Sequence, residues 1–158
     1  MGVPCGKEMR SAVQRLSTNS TKAGLQGKMK KMSPVHTEKK KGKPTVVVVD
    51  ANRAHLDELA RHLRANGFHV VSCRSMRGAL GQLRRTRPDA VILEVIMPGV
   101  SGFELAARMQ ADVDLSHIPI IFTSDIQNSE GENHDYFPRP LDMDGLVRSL
   151  KERIATRR

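Results

Sequence analysis

Two acidic side chains stand at the points where apolar runs of this sequence end. Asp50 follows the run 45–49, and Glu94 closes the run 90–93. Such runs of β-branched residues are typical of strands that a parallel sheet buries on both faces. The carboxyl ends of parallel strands share one edge, where open sheets place their binding sites. We therefore expect both carboxylates to lie together at that edge.

Two further polar side chains follow the later strands. Thr123 ends the apolar run 118–122, and Arg139 follows a very short strand at 136–137. Carboxylates hold Mg²⁺, while a hydroxyl group and a cation steady phosphate oxygens. The set suits phosphoryl or divalent-metal chemistry. A buried ion-pair network with no chemistry remains an open alternative.

The elements that position these residues alternate along the chain. Strand patterns occupy 45–50, 69–73, 89–95, 118–123 and 136–137. Apolar residues recur at helical spacing over 56–63, 76–83, 102–111 and 143–154. Strands that alternate with helices predict a doubly wound α/β fold around a five-stranded parallel sheet.

The basic charge of the chain belongs to its first 43 residues. They hold eleven Lys and Arg against Glu8 and Glu38, a net charge of +9, which equals the formal charge of the whole chain. Few of these residues are large and apolar, so the segment cannot offset the entropy of ordering. We expect a disordered basic tail over 1–43 and a folded domain over 44–156. A polyanion-tethered adaptor that works through this tail is one candidate function.

Several classes of protein are not expected from this sequence. It has no signal peptide and no run long enough to span a membrane, and Cys5 and Cys73 form no disulfide framework, so we expect a cytoplasmic protein. No phosphate-binding loop or dinucleotide fingerprint is present, and we expect no enzyme activity. The histidines, including His55 and His62, show no metal-ligand spacing. Specific nucleic-acid binding is not expected either, because the basic clusters lack aromatic residues.

Several motifs, taken in order, resemble the receiver domain of bacterial response regulators. They are Val47-Val48-Val49-Asp50, Met97-Pro98-Gly99, Gly102-Phe103-Glu104-Leu105, the segment 119–123 and the segment 135–140. The resemblance covers residues 44–156. It implies the flavodoxin-like fold of chemotaxis-type regulators, with five helices around the sheet. It also implies two-component signalling, in which a histidine kinase phosphorylates an aspartate at the end of the third strand.

Three positions match the residues that this family uses. Asp50 matches the first acid of the pair that holds Mg²⁺. Thr123 matches the hydroxyl residue after the fourth strand, and Tyr136 matches the aromatic residue that moves with it on phosphorylation. The resemblance therefore implies a metal site at Asp50 and a switch at Thr123 and Tyr136.

Three other positions depart from the family pattern. Ala51 replaces the second acid, so Mg²⁺ affinity should fall and no cofactor is expected beyond weak Mg²⁺ at Asp50 and Glu94. Glu94 replaces the phospho-acceptor aspartate and displaces the carboxylate by one methylene. Arg139 replaces the lysine and offers a planar fork that suits a bidentate carboxylate pair.

The loop between the last two strands departs as well. The segment 124–135 contains Gly131 and only Ile126 as an apolar side chain. A crossover with its helix needs about 10–12 residues or more, so the fourth helix of the family should be shortened or missing. This helix forms part of the usual output face of receivers, which puts a conventional phosphorylation-driven switch in doubt.

These departures favour a pseudo-receiver, meaning a receiver fold that works by protein–protein interaction without phosphorylation. An Arg139–Glu94 pair could hold it in one state that resembles the activated one, although simple decay of the site would leave an inert domain. A working phosphorelay receiver that uses Glu94 or another carboxylate is the alternative. The expected partners are other signalling proteins, a histidine kinase among them.

Overall fold

Strands and helices alternate through the structure, a computed structural model that describes residues 42–126 and 135–157. The elements in chain order are β1 (Thr45–Val49), α1 (Arg53–Ala65), β2 (His69–Cys73), α2 (Met76–Thr86), β3 (Ala90–Glu94), β4 (Ile96–Met97), β5 (Val100–Ser101), α3 (Gly102–Gln110), β6 (Ile120–Ser124), β7 (Asp135–Pro138) and α4 (Met143–Thr156). The predicted alternation is confirmed within these residues.

Five strands form one parallel sheet in the order β2-β1-β3-β6-β7. The order reverses between β1 and β3, and such a reversal opens a crevice at the carboxyl ends of the strands. Glu94 on β3 lies opposite Thr123 on β6 in the register of the sheet. The predicted five-stranded, doubly wound, flavodoxin-like sheet is confirmed, and its topology brings the polar strand ends to one edge.

Strand β1 is apolar from Val46 to Val49 because helices cover both faces of the sheet. Val46 and Val48 of β1 pack in the layer that α1 and α4 cover. Val47 and Val49 pack in the opposite layer, under α2 and α3. All four side chains are fully buried, so these four positions of β1 must be apolar before the chain reaches the edge at Asp50.

Helix α1 begins directly beside the end of β1. Asn52 caps it, since its side-chain oxygen accepts the N–H groups of Ala54 and His55. The backbone N–H of Asn52 in turn donates to Asp50 Oδ1 at 2.7 Å. Gly67, with a φ of +92°, follows the helix in the left-handed region that glycine tolerates best. The cap fixes the first turn of α1 over the carboxyl edge of the sheet.

Two details differ from the sequence-based expectation. Strand β6 begins at Ile120 rather than at residue 118, because the N–H of Ile118 bonds to the Leu115 carbonyl in a turn and Pro119 has no N–H to offer the sheet. After β3, where only a turn is expected, β4 and β5 pair as a short antiparallel ribbon. Two-residue strands have no periodicity that a sequence could reveal.

Some expectations fall partly or wholly outside the described residues. The tail over 1–43, which we expect to be disordered, lies almost entirely there. So does the range 127–134, which holds most of the segment where the fourth helix is expected to be shortened or missing. Four helices occur within 42–126 and 135–157, against five in the family pattern. None of the described helices is long and apolar enough to cross a membrane.

Gly102 should be required for the packing of α3 against the end of β3. A Cβ atom there would overlap the main-chain oxygen of Glu94 and lie 3.0 Å from Val95 Cα. Because backbone atoms cannot move aside cheaply, Gly102→Ala should lower the free energy of unfolding by about 1–3 kcal/mol in urea denaturation.

Gly81→Ala is the matched control, since Gly81 is exposed on α2 and a Cβ there meets no atom within 4 Å. This change should raise the free energy of unfolding by about 0.5–1 kcal/mol through helix propensity. Equal effects at the two glycines would contradict the packing described at Gly102.

Candidate functional site

Asp50 is a buried carboxylate with three polar neighbours. It is 3% exposed and sits just beyond the last residue of β1. Its Oδ1 accepts the Asn52 N–H, while its Oδ2 lies 3.1 Å from His55 Nδ1 and 2.8 Å from Arg139 Nη2. Both oxygens therefore have partners from the protein.

Glu94 is the second buried carboxylate, 5% exposed at the end of β3. Its Oε1 accepts the backbone N–H of Ile96 at 3.2 Å. Its Oε2 accepts from the Thr123 hydroxyl and from Arg139 Nη2, each at 3.3 Å. Burial raises the pKa of Glu94 above its ordinary value, while the Ile96 N–H and the Arg139 charge oppose this rise.

Arg139 joins the two carboxylates from the end of the last strand. Its backbone N–H donates to the Ser124 carbonyl at 2.9 Å, and its side chain is only 11% exposed. The predicted Arg139–Glu94 pair is present, but it is not bidentate, because the single nitrogen Nη2 contacts both Glu94 and Asp50. The Nε atom is buried without a hydrogen bond and lies 3.6 Å from Asp125 Oδ1.

The two predicted switch residues point to different partners. Thr123 donates its hydroxyl to Glu94, as described above, and is 1% exposed. Tyr136 packs against the α2–α3 side of the core, and its hydroxyl donates to the Ile126 carbonyl. Thr123 therefore belongs to the site, whereas Tyr136 reaches the connection that follows β6.

His55 is the site residue that the sequence analysis missed. It sits in the first turn of α1, and the Asn52 cap turns its ring toward Asp50. The spacing of the histidines from one another carries no sign of this. An available signal was that His55 follows Asp50 by only five residues, in the first turn of a capped helix that starts at the same edge.

One atom each of Asp50, His55 and Glu94 lies within 4.8 Å of the other two, which is a distance suited to a shared metal ion. The arrangement nevertheless does not fit the Mg²⁺ of a receiver pocket. Mg²⁺ requires a near-octahedral set of oxygens, and Ala51 supplies none. The Arg139 nitrogen also already contacts one oxygen of each carboxylate, where a shared cation would bind.

The sequence and the fold are similar to those of known signalling proteins. The family model described as the response regulator receiver domain matches residues 46–150. Protein PilH of Pseudomonas aeruginosa is 23% identical over 117 residues, covering 70% of this chain and 97% of that protein. Response regulator MprA of Mycolicibacterium vanbaalenii is 30% identical over 111 residues, which cover 67% of this chain. This chain spans only about half of MprA, 48% of its length. The chemotaxis protein CheY4 of Vibrio cholerae shares the fold, with a TM-score of 0.65 at 20% identity over 70% of this chain and 98% of that one.

The pH dependence of stability should report the burial of Glu94. Because its folded pKa is raised, the unfolded chain ionises first as the pH increases, and stability falls between the ordinary value of 4.5 and the raised one. Glu94→Gln removes this loss. Its free energy of unfolding should rise relative to the wild type between pH 4 and pH 8, by about 1.4 kcal/mol for each unit of pKa shift.

Urea denaturation across this pH range measures the difference. Glu58→Gln is the matched control, since Glu58 is exposed on α1 and should show no such rise. A difference between wild type and Glu94→Gln that stays constant with pH would contradict a raised pKa for the buried carboxyl.

Proposed function

The chain belongs to the response regulator receiver domain family, as its motifs predict, and we propose that within two-component signalling it acts as a pseudo-receiver. In this proposal it binds other signalling proteins while Glu94 stays unphosphorylated. It performs no catalysis and works in the cytoplasm, and a histidine kinase is one candidate partner. The basic tail is a second, separate candidate, which would tether the protein to a polyanion through its net charge of +9.

The observation that carries the proposal is the contact of Arg139 Nη2 with both carboxylates, at 2.8 Å from Asp50 and 3.3 Å from Glu94. A phospho-acceptor needs a free oxygen lone pair and an in-line approach for the phosphoryl group. Here Oε1 of Glu94 accepts from Ile96, and Oε2 accepts from Thr123 and Arg139. Oε2 therefore has two partners and Oε1 has one, so the carboxylate is held in a fixed orientation, and Ala51 leaves the pocket one metal ligand short.

The Thr123 contact also supports a pocket held in one state. In the family this hydroxyl residue moves when the neighbouring aspartate is phosphorylated. In this chain the Thr123 hydroxyl already bonds to Glu94, 3.3 Å away, so the permanent carboxylate supplies an acceptor that does not depend on phosphate. A single carboxylate carries less charge than a phosphate, so the proposal is a fixed state rather than a full copy of phosphorylation.

Apolar side chains on the same edge support a role in protein–protein interaction. Ile96 is 57% exposed, Phe103 is 42% exposed and Ile126 is 49% exposed. Ile96 and Ile126 lie two residues beyond the ends of β3 and β6. The Phe103 ring packs at a tilt of 52° against Phe122 of β6, with the ring centroids 4.8 Å apart. Contiguous exposed apolar patches mark interaction sites, and in this proposal these three side chains contribute to one.

The alternative is a working phosphorelay receiver. The family membership favours it, and so does the similarity to PilH, which extends over 97% of the length of PilH. The two functions differ in one chemical event. A working receiver forms an acyl phosphate on a pocket carboxylate, and a pseudo-receiver does not.

Incubation with a small acyl-phosphate donor and Mg²⁺, followed by intact-mass measurement, distinguishes the two functions. The wild-type chain should gain no phosphoryl group. The triple variant Ala51→Asp, Glu94→Asp, Arg139→Lys restores the family residues, and it should bind Mg²⁺ and gain one phosphoryl group.

The triple variant serves as the positive control for the donor and for the mass measurement. Addition of one phosphoryl group to the wild type, removed again by hydroxylamine as expected for an acyl phosphate, would refute the pseudo-receiver. A folded triple variant that binds no Mg²⁺ would mean that the pocket has moved away from receiver geometry.

A further inference from the structure

Two buried carboxylates, with an oxygen of each within 4.8 Å of the other, repel each other when both are ionised. Asp50 and Glu94 are 3% and 5% exposed, and each side chain is shielded from the water that would stabilise its charge. Removing an ionised carboxylate from water is costly unless a cation lies close by. The Coulombic effect of Asp50 on Glu94 is repulsive, since it raises the Glu94 pKa. The pocket therefore requires a positive charge between the two groups.

Arg139 supplies that charge from within the chain. Its Nη2 atom contacts one oxygen of each carboxylate, and its backbone is fixed to the end of β6 through Ser124. A guanidinium group carries a positive charge that it does not lose in proteins. Its Nε faces the side chain of Asp125, which is 74% exposed, so a third carboxylate lies within reach at the solvent side.

The carboxylates and His55 would form a different site if Arg139 were absent. One atom of each of Asp50, His55 and Glu94 would remain within 4.8 Å of the others, with no guanidinium among them. Two carboxylate oxygens and one imidazole nitrogen suit first-row transition ions better than Mg²⁺, which prefers oxygen ligands alone. His55 is partly exposed, with 27% of its side chain accessible, so an ion could reach the set from solvent.

We propose that Arg139 is a tethered substitute for the divalent cation of receiver pockets, and that it covers a latent site for a transition ion at Asp50, Glu94 and His55. The inference deepens the proposed function, on which it rests for its view of the pocket as closed to phosphate chemistry. It adds that the pocket is independent of metal as well. It assigns His55 as the ligand that would change the metal preference of that latent site.

Metal titration of stability tests the inference. Urea denaturation of the wild type, Arg139→Met and the control Arg61→Met is measured in chelator, in Mg²⁺ and in Mn²⁺ at equal free concentrations. Arg61 is an exposed cation of α1 outside the pocket. The wild-type and Arg61→Met midpoints should not change with either metal. The Arg139→Met midpoint should be lower in chelator and should rise with Mn²⁺, with about an elevenfold gain in the folded-to-unfolded ratio at ten times the dissociation constant.

His55 separates the latent site from general screening of charge. In the Arg139→Met background, His55→Gln should reduce the response to Mn²⁺ several-fold and reduce the response to Mg²⁺ less, because Mg²⁺ gains little from an imidazole. If Arg139→Met does not fold, Arg139→Lys takes its place in the experiment. Its ammonium group keeps the positive charge but is a point charge without the planar guanidinium group. That variant should show a smaller, saturable Mn²⁺ response of the same kind.

Two results would overturn the inference. One is stabilisation of the wild type by either metal to the extent seen in Arg139→Met. The other is a folded Arg139→Met, or in its place Arg139→Lys, whose stability does not respond to Mn²⁺. The first result alone would leave the proposed function standing, since a chain that binds metal could still remain unphosphorylated. If the stability of the wild type did not respond to metal but the wild type became phosphorylated, the proposed function would be refuted and the inference would stand.

Discussion

The contact of one guanidinium nitrogen with two buried carboxylates is the interaction on which the rest of the site depends. Without Arg139, the strand ends would place Asp50 and Glu94 together in a region that water scarcely reaches. Breaking a buried pair by removing one partner typically costs about 3–5 kcal/mol, because the charge that remains has no compensation. The identity of the cation therefore decides what the pocket can bind.

The fold makes this convergence unavoidable. Strands β1, β3 and β6 are adjacent and parallel, so the residues at their carboxyl ends share one edge whatever chemistry they carry. The Asn52 cap brings α1 to the same edge, and Gly102 allows α3 to begin against the Glu94 backbone. The reactive residues of a receiver can thus be substituted during evolution, and the substituted side chains still lie together at the same edge of the sheet. This chain keeps the receiver fold, and its pocket differs from the family pattern by the loss of one carboxylate at Ala51 and by the different side-chain geometry of Glu94 and Arg139.

Much of this architecture could be predicted from the sequence. The apolar runs before Asp50 and Glu94 indicate doubly covered strands, and the order of strands and helices leads to the parallel sheet. Three features could not be predicted. The ribbon of β4 and β5 is too short to show a period, the single-nitrogen bridge of Arg139 depends on a side-chain conformation, and His55 enters the site only because a cap turns the first helical turn toward Asp50.

The central claim is that Arg139, rather than a metal ion or a phosphate, completes the pocket. Solution NMR tests it most directly, through the backbone amide shifts of Glu94, Thr123 and Tyr136 and the Nε–H signal of Arg139. Spectra are compared in chelator, with Mg²⁺, and with Mg²⁺ plus a small acyl-phosphate donor. If Arg139 completes the pocket, the shifts are the same in all three conditions. Shift changes concentrated at these residues on adding Mg²⁺ or the donor would contradict it.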